Sequence, residues 1–143
     1  MARDFAGRTV VVTGAAGGLG HALCLRFAAA GARIVALDRD AAVLQGLTFP
    51  GGNDALRVAC DVSNEEDCLR AMAEARRAFG GVDVLINNAG ITHRSAFAAT
   101  RPEVIRRVMA VNFFGALHCT HAALADLVAR RGMVIAVSSV AGF

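Results

Sequence analysis

The stretch Thr9-Val10-Val11-Val12-Thr13-Gly14-Ala15-Ala16-Gly17-Gly18-Leu19-Gly20 decides how the rest of the chain is read. A β-branched run that is apolar on both faces suits a central parallel strand. It breaks at a glycine cluster. Residues 21–30 beyond it are rich in Ala and Leu and read as a helix closed by Gly31 at its C-cap side. In this succession one glycine permits a tight turn, another lets the backbone approach a pyrophosphate, and a third lets helix and strand pack closely. Free N–H groups at the start of the helix then meet the phosphate charge. An acid, Asp38, stands at the end of the next strand, which a merely glycine-rich loop would not require.

Outward from this stretch the pattern repeats. Strands are expected over 33–37, 55–60, 82–86 and 133–137. Between them fall a short helix over 40–46, a turn at Pro50-Gly51-Gly52-Asn53 and a helix ending near Phe79. Ser63-Asn64-Glu65-Glu66 and Thr100-Arg101-Pro102-Glu103 both fit the S/T-x-x-E capping box, the second opening a long helix that runs to about Ala129 and is ended by Gly132. Strand alternating with helix predicts an α/β fold: a Rossmann-like, doubly wound parallel sheet of five strands in the order 3-2-1-4-5. Residues 1–143 show no linker and read as a single domain, ending soon after a strand that still lacks a covering helix. The middle of the long helix, Met109 to Leu117, is apolar nearly all round, so one face should lie on the sheet and the other on a further helix or a second subunit.

Composition excludes several classes. With 55% apolar and 19% charged residues the chain is not disordered. No run reaches the ~18 uninterrupted apolar residues expected of a membrane span, and no apolar signal region precedes the first charges, so a soluble cytoplasmic protein with no membrane partner is expected. All the basic residues are Arg, dispersed in pairs such as Arg76-Arg77 and Arg106-Arg107, which suits solvated helix faces and not a nucleic-acid reader. Cys24, Cys60, Cys68 and Cys119 form no CxxC pair and read as reduced, mostly buried thiols. His118-Cys119-x-His121 has no second ligand pair, so no metal site is expected. The chain contains no Tyr and no Lys.

The spacing Gly14-x-x-x-Gly18-x-Gly20 preceded by Thr13, Asp61-Val62 after the third strand, Asn87-Asn88-Ala89-Gly90 after the fourth, Asn112 in the long helix and Ser138-Ser139-Val140-Ala141-Gly142 after the fifth occur in that order. Together they resemble the short-chain dehydrogenase/reductase family from residue 7 onward. The resemblance implies hydride transfer between a nicotinamide cofactor and a small alcohol or carbonyl substrate. It places Gly14, Gly18, Leu19 and Gly20 at the pyrophosphate, Asp38 at the adenosine ribose, Asp61 and Val62 at the adenine, and Asn88, Ala89 and Gly90 along the cofactor. Asp38 would repel a 2′-phosphate, and Gly17 stands where NADP-using members often carry Arg or Lys. NAD is therefore favoured over NADP, although Arg39 could accommodate that phosphate. Ser139, with Ser138 as runner-up, is implied to polarise the substrate oxygen, and Asn112 to hold a water of the proton relay. The family's proton donor, a Tyr whose acidity a Lys four positions on increases, has no counterpart among these residues. The chain is thus expected to be the amino-terminal portion of such an enzyme and inert by itself; the alternative is an inactive dinucleotide-binding module. A homo-oligomer through the helix containing Asn112 is implied as well. The substrate itself is not readable, since fold does not choose it.

Overall fold

The computed structural model describes residues 5–49 and 55–139. The turn expected at Pro50 to Asn53, and Val140-Ala141-Gly142 of the serine segment, lie outside the described residues. Five strands, β1 (Thr9–Thr13), β2 (Arg33–Asp38), β3 (Ala55–Ala59), β4 (Val84–Asn87) and β5 (Met133–Ala136), form one parallel sheet in the order β3-β2-β1-β4-β5. Five α-helices alternate with them: α1 (Gly18–Ala29), α2 (Ala41–Gly46), α3 (Glu65–Phe79), α4 (Pro102–Met109) and α5 (Gly115–Ala129).

Strand periodicity sorts the core. Val11, Val35, Leu37 and Leu85 point to one face of the sheet and pack on Met72 of α3 and Leu127 of α5. Their alternates Val10, Val12, Ile34 and Ile86 pack on the other face against Cys24 and Ala28 of α1 and Leu44 of α2. Successive side chains in a strand point to opposite faces, so a run apolar at every position covers both. That is why β1, the centre of the sheet, is buried at all five of its residues. Each fully buried Val, Leu or Ile side chain contributes about 1.5–3 kcal/mol relative to exposure.

Several helix ends differ from expectation. α1 begins at Gly18, three residues earlier than expected, and its N-cap Gly17 supplies no side-chain cap. It closes as expected at Gly31: with φ +83°, Gly31 donates to the Ala28 carbonyl while Ala32 donates to Phe27, the two bonds of a Schellman turn. α3 is capped by Asn64 and not by Ser63. The Asn64 side-chain Oδ1 accepts from the N–H groups of Glu66 and Asp67, leaving the Ser63 hydroxyl to donate to Asp61. α4 starts at Pro102 behind Arg101, without a side-chain cap, because the Thr100 hydroxyl donates backward to the Ala96 carbonyl. At the end of α5 the left-handed residue is Arg131, φ +48°, and not Gly132. Gly132 is required for a different reason: a Cβ there would lie 2.5 Å from the Asp83 carbonyl oxygen.

The long helix is not one regular α-helix. A π turn, Ala110–Phe114, separates α4 from α5 and holds Asn112. The continuous run Pro102–Ala129 is long and apolar enough, by length and composition, to cross a membrane, although Glu103, Arg106, Arg107 and Asp126 interrupt it. Here α5 packs on α3, β4 and β5 through Cys119, Ala123 and Leu127. The π turn exposes Phe113 and Phe114 and the other faces of α5 expose Leu117, Leu124 and Val128, so the expected second apolar face is present and uncovered among the described residues.

Candidate functional site

Where β1 meets α1, the chain turns back at Gly14, φ +66°. A Cβ at Gly14 would stand 2.9 Å from Ala89 Cα, and one at Gly20 would run into the Gly14 carbonyl oxygen. These two glycines let three backbone segments close on one another. Gly18 differs: nothing lies within 4 Å of where its Cβ would be, so the loop is open there. The first helical N–H groups, at Gly18, Leu19 and Gly20, have no partner within the helix, and no acidic side chain occupies the first turn. An open backbone approach with free donors fits a phosphate group. Asp38 holds this loop in shape. One carboxylate oxygen accepts from Ala16 N–H at 3.0 Å and the other from Asp40 N–H at 3.0 Å.

Thr13 ties the glycine loop to the next strand end. Its buried hydroxyl accepts from Asn88 N–H at 3.0 Å and Ala89 N–H at 2.9 Å, and donates to the Ile86 carbonyl at 3.3 Å. The Asn88 side-chain amide returns the connection by donating to the carbonyls of Thr13 and Gly14. Asn88 and Ala89 are thus positioned by hydrogen bonds to Thr13 and Gly14, across the β1–β4 pairing, and Gly90 follows them in the chain.

Further along, Asn112 in the π turn grips the segment that leaves Gly90. Its Oδ1 accepts from Ile91 N–H at 2.8 Å and its Nδ2 donates to the Ile91 carbonyl at 2.9 Å. Two donors and two lone pairs make up the amide's capacity, so one N–H and one lone pair remain for another partner. Asp61, beyond β3, accepts from both the N–H and the hydroxyl of Ser63, and its own N–H donates to Asp67. Val62 is buried beneath Gly115, where a Cβ would lie 2.6 Å from Val62 Cγ2. Its carbonyl meets His118 Nδ1 at 3.0 Å, so His118, which sequence alone makes an ordinary helix residue, fastens the Asp61-Val62 turn to α5.

Three thiols lie behind that turn. Cys119 donates to Cys68 at 3.6 Å, and Cys68 lies against the Val62 carbonyl. The hydrogen bond with Cys119 is the largest of the effects that push the Cys68 thiol up to about 12. Cys60 is pushed up as well, first by its hydrogen bond with Cys68 and then by burial. Burial alone pushes Cys24, across the sheet, up to about 12. All four are free and buried, as expected for structural thiols. Among the described residues no group of three His, Cys, Asp or Glu side chains could hold a metal ion.

Two hollows open on the carboxyl ends of the strands, the place where open α/β sheets bind ligands. A small one of about 140 Å³ is bordered by Gly14, Asp38, Asp61, Val62, Ala89 and Gly90. A larger cleft of about 910 Å³ takes in Asn88, Asn112, Ser138 and Ser139, with apolar walls from Val104, Val108 and Met109 of α4. The structure therefore brings Asn112 and Ser139 to one cleft and the adenosine-side candidates to the other hollow. Gly18, Leu19 and Gly20 stand at the head of α1, bordering neither. His93 also reaches the large cleft. Its Nε2 lies 3.4 Å from the Thr100 hydroxyl.

A doubly wound α/β domain with a glycine loop at its first strand–helix turn is the class that fold and site define. The chain belongs to the short-chain dehydrogenase family, whose family model matches residues 8–143. It is 41% identical to dehydrogenase/reductase SDR family member 7B of Bos taurus, over 93% of this chain and 44% of that protein. It is 39% identical to cis-2,3-dihydrobiphenyl-2,3-diol dehydrogenase of Paraburkholderia xenovorans strain LB400, over 96% of this chain and 51% of that one. The crystal structure of 3-ketoacyl-(acyl-carrier-protein) reductase from Brucella melitensis complexed with NADH superposes with a TM-score of 0.89 at 33% identity, covering 94% of this chain and 58% of its own. The chain spans about half the length of the curated relatives it matches.

Proposed function

We propose that the chain is the dinucleotide-binding portion of an NAD(P)-dependent oxidoreductase acting on a small alcohol or carbonyl compound, with NAD the favoured cofactor. The observation that carries this is the joined loop system: an uncapped helix start at Gly18, a strand end knotted by Thr13 to Asn88 and Ala89, and a hollow on each side of Gly90. Gly14, Gly18, Leu19 and Gly20 would take the pyrophosphate, Asp38 the adenosine ribose, Asp61 and Val62 the adenine. Asn88, Ala89 and Gly90 would line the path to the large cleft. When bound, the nicotinamide supplies or accepts hydride at the substrate carbon. Ser139 would donate a hydrogen bond to the substrate oxygen. Asn112 would use its remaining N–H or lone pair to hold a water, while its other contacts fix Ile91 at the wall of the cleft.

Proton exchange with the substrate oxygen needs a donor of tunable acidity, and this chain has neither a phenol nor a lysine to provide it. Arg stays charged and cannot replace Lys in lowering a neighbouring pKa by the same geometry. The chain alone is therefore proposed to bind the dinucleotide without turnover. Asp38, and Gly17 in place of a basic residue, support the NAD preference. The exposed apolar face around Phe113 and Phe114 supports self-association of the protein through that helix, which sedimentation across a concentration series tests. For the cofactor, fluorescence titration with NADH and NADPH is the test. Saturable NADH binding with weaker NADPH binding is expected; equal or tighter NADPH binding contradicts the preference.

A further inference from the structure

The helix over the strand ends has two working faces. Val104, Val108 and Asn112, at steps of four, turn to the large cleft, while Arg107, Ala110 and Val111, at i, i+3 and i+4, border the small hollow. Arg107 is the charged member of that second face. It lies one turn beyond Glu103, yet Glu103 is occupied by Arg101 at 3.4 Å and Arg106 at 3.6 Å. Arg107 has no ion pair or side-chain hydrogen bond among the described residues, although its neighbours on α4 are paired. The border of the hollow includes the apolar Val62, Ala89, Ile91 and Val111 beside the polar Asp38, Arg39, Asp61 and Ser63, of which Asp38 already accepts from Ala16 and Asp40 and Asp61 from Ser63. A guanidinium is planar, weakly hydrated and attracted to the face of an aromatic ring, and its stem can cover apolar surface.

We propose that Arg107 forms the helical wall of the adenosine pocket and stacks its guanidinium on the adenine ring of the dinucleotide. This rests on the cofactor reading above. The alternative role, a ligand to a 2′-phosphate, belongs to the β2 side of the hollow, where Arg39 follows the ribose-side acid Asp38. Arg107 instead stands on α4, whose continuation beyond the π turn, α5, carries Gly115 and His118, the residues that pack on Val62 at the adenine side. A residue acting on the base affects every adenine nucleotide alike, whatever its ribose carries.

The test is calorimetric titration of the full chain and its Arg107→Met variant with ADP, NADH and 2′-phospho-ADP. Arg106→Met serves as the control for loss of one nearby positive charge. Arg107→Met should weaken all three ligands by a common factor of roughly three to ten, the range of a partly exposed cation–π contact. Arg106→Met should leave them unchanged, and Arg107→Lys should recover only part of the loss, since an ammonium lacks the planar fork. Unchanged ADP affinity in Arg107→Met, a loss confined to 2′-phospho-ADP, or full recovery by Lys overturns the proposal. Failure of the unmodified chain to bind any of the three would overturn the cofactor reading itself, a result distinguishable from all of these. Arg107 is exposed, so melting curves of the variants should match the parent.

Discussion

Replacing Thr13 by Val removes one oxygen and its proton and keeps a β-branched side chain on a central strand. The geometry lets the consequence be worked out. The hydroxyl satisfies the N–H groups of Asn88 and Ala89 and is itself satisfied by the Ile86 carbonyl. Thr13 is buried, so water cannot replace the lost oxygen without opening the β1–β4 junction. Leaving a buried donor unpaired costs about 1–3 kcal/mol, and two are orphaned here, both only partly buried; the lower half of the range gives about 2–4 kcal/mol. For a domain of this size each kcal/mol lowers Tm by roughly 3 °C, so a fall of about 6–12 °C is expected. Thr13→Ser keeps the oxygen and should lose only about 1 kcal/mol for the missing methyl. Differential scanning calorimetry on the three chains decides the matter. A Val variant as stable as the parent would refute the assignment of the hydroxyl as the knot between the two strand ends.

The same arithmetic applies to the far end of the sheet, where buried Asp83 accepts from Thr9 N–H at 2.9 Å and pairs with Arg130 at 3.2 Å. Asp83→Ala should cost about 2–4 kcal/mol in urea unfolding, and Asp83→Asn distinctly less, because it can still accept from Thr9. Arg131 holds φ +48°, a conformation that suits Gly, so Arg131→Gly should stabilise by about 0.5–1 kcal/mol; a destabilised variant would show that the side chain has an overlooked role. Asp67 is held below its ordinary value of 3.8, chiefly by its hydrogen bond with Arg70 and then by the Asp61 N–H. A depressed folded-state pKa gives stability that is present above the unfolded value and lost as pH falls through the folded one. The stability gap between the parent and Asp67→Asn should therefore hold steady from neutral pH down to about 5 and narrow below about 4. A gap independent of pH would contradict this.

The fold was legible because burial on both faces leaves a plain mark: β1 and β2 read as unbroken apolar runs, and the glycines between them announce the turn. What could not be read depends on competition between equal candidates. Ser63 and Asn64 are both good caps, and Asn64 wins because Asp61 engages the Ser63 hydroxyl. Thr100 likewise loses its cap to a backward bond with Ala96. The left-handed position at the end of α5 went to Arg131 because Gly132 is needed where Asp83 crowds the backbone. In the candidate site, the order of motifs showed which residues face the strand ends. It did not show that Thr13 and His118 hold them there, since both act through backbone atoms distant in sequence. The π turn at Asn112 was also silent, because its residues have the apolar pattern of an ordinary helix.

A dinucleotide site headed by Gly14, Gly18 and Gly20 is tested most directly by calorimetric titration of the 143-residue chain with NADH. Saturable binding is expected, displaced by ADP and abolished by Gly20→Val, whose side chain cannot coexist with the Gly14 carbonyl. A folded chain that gives no binding heat with NADH, or binding that ADP does not displace and Gly20→Val does not weaken, would contradict it.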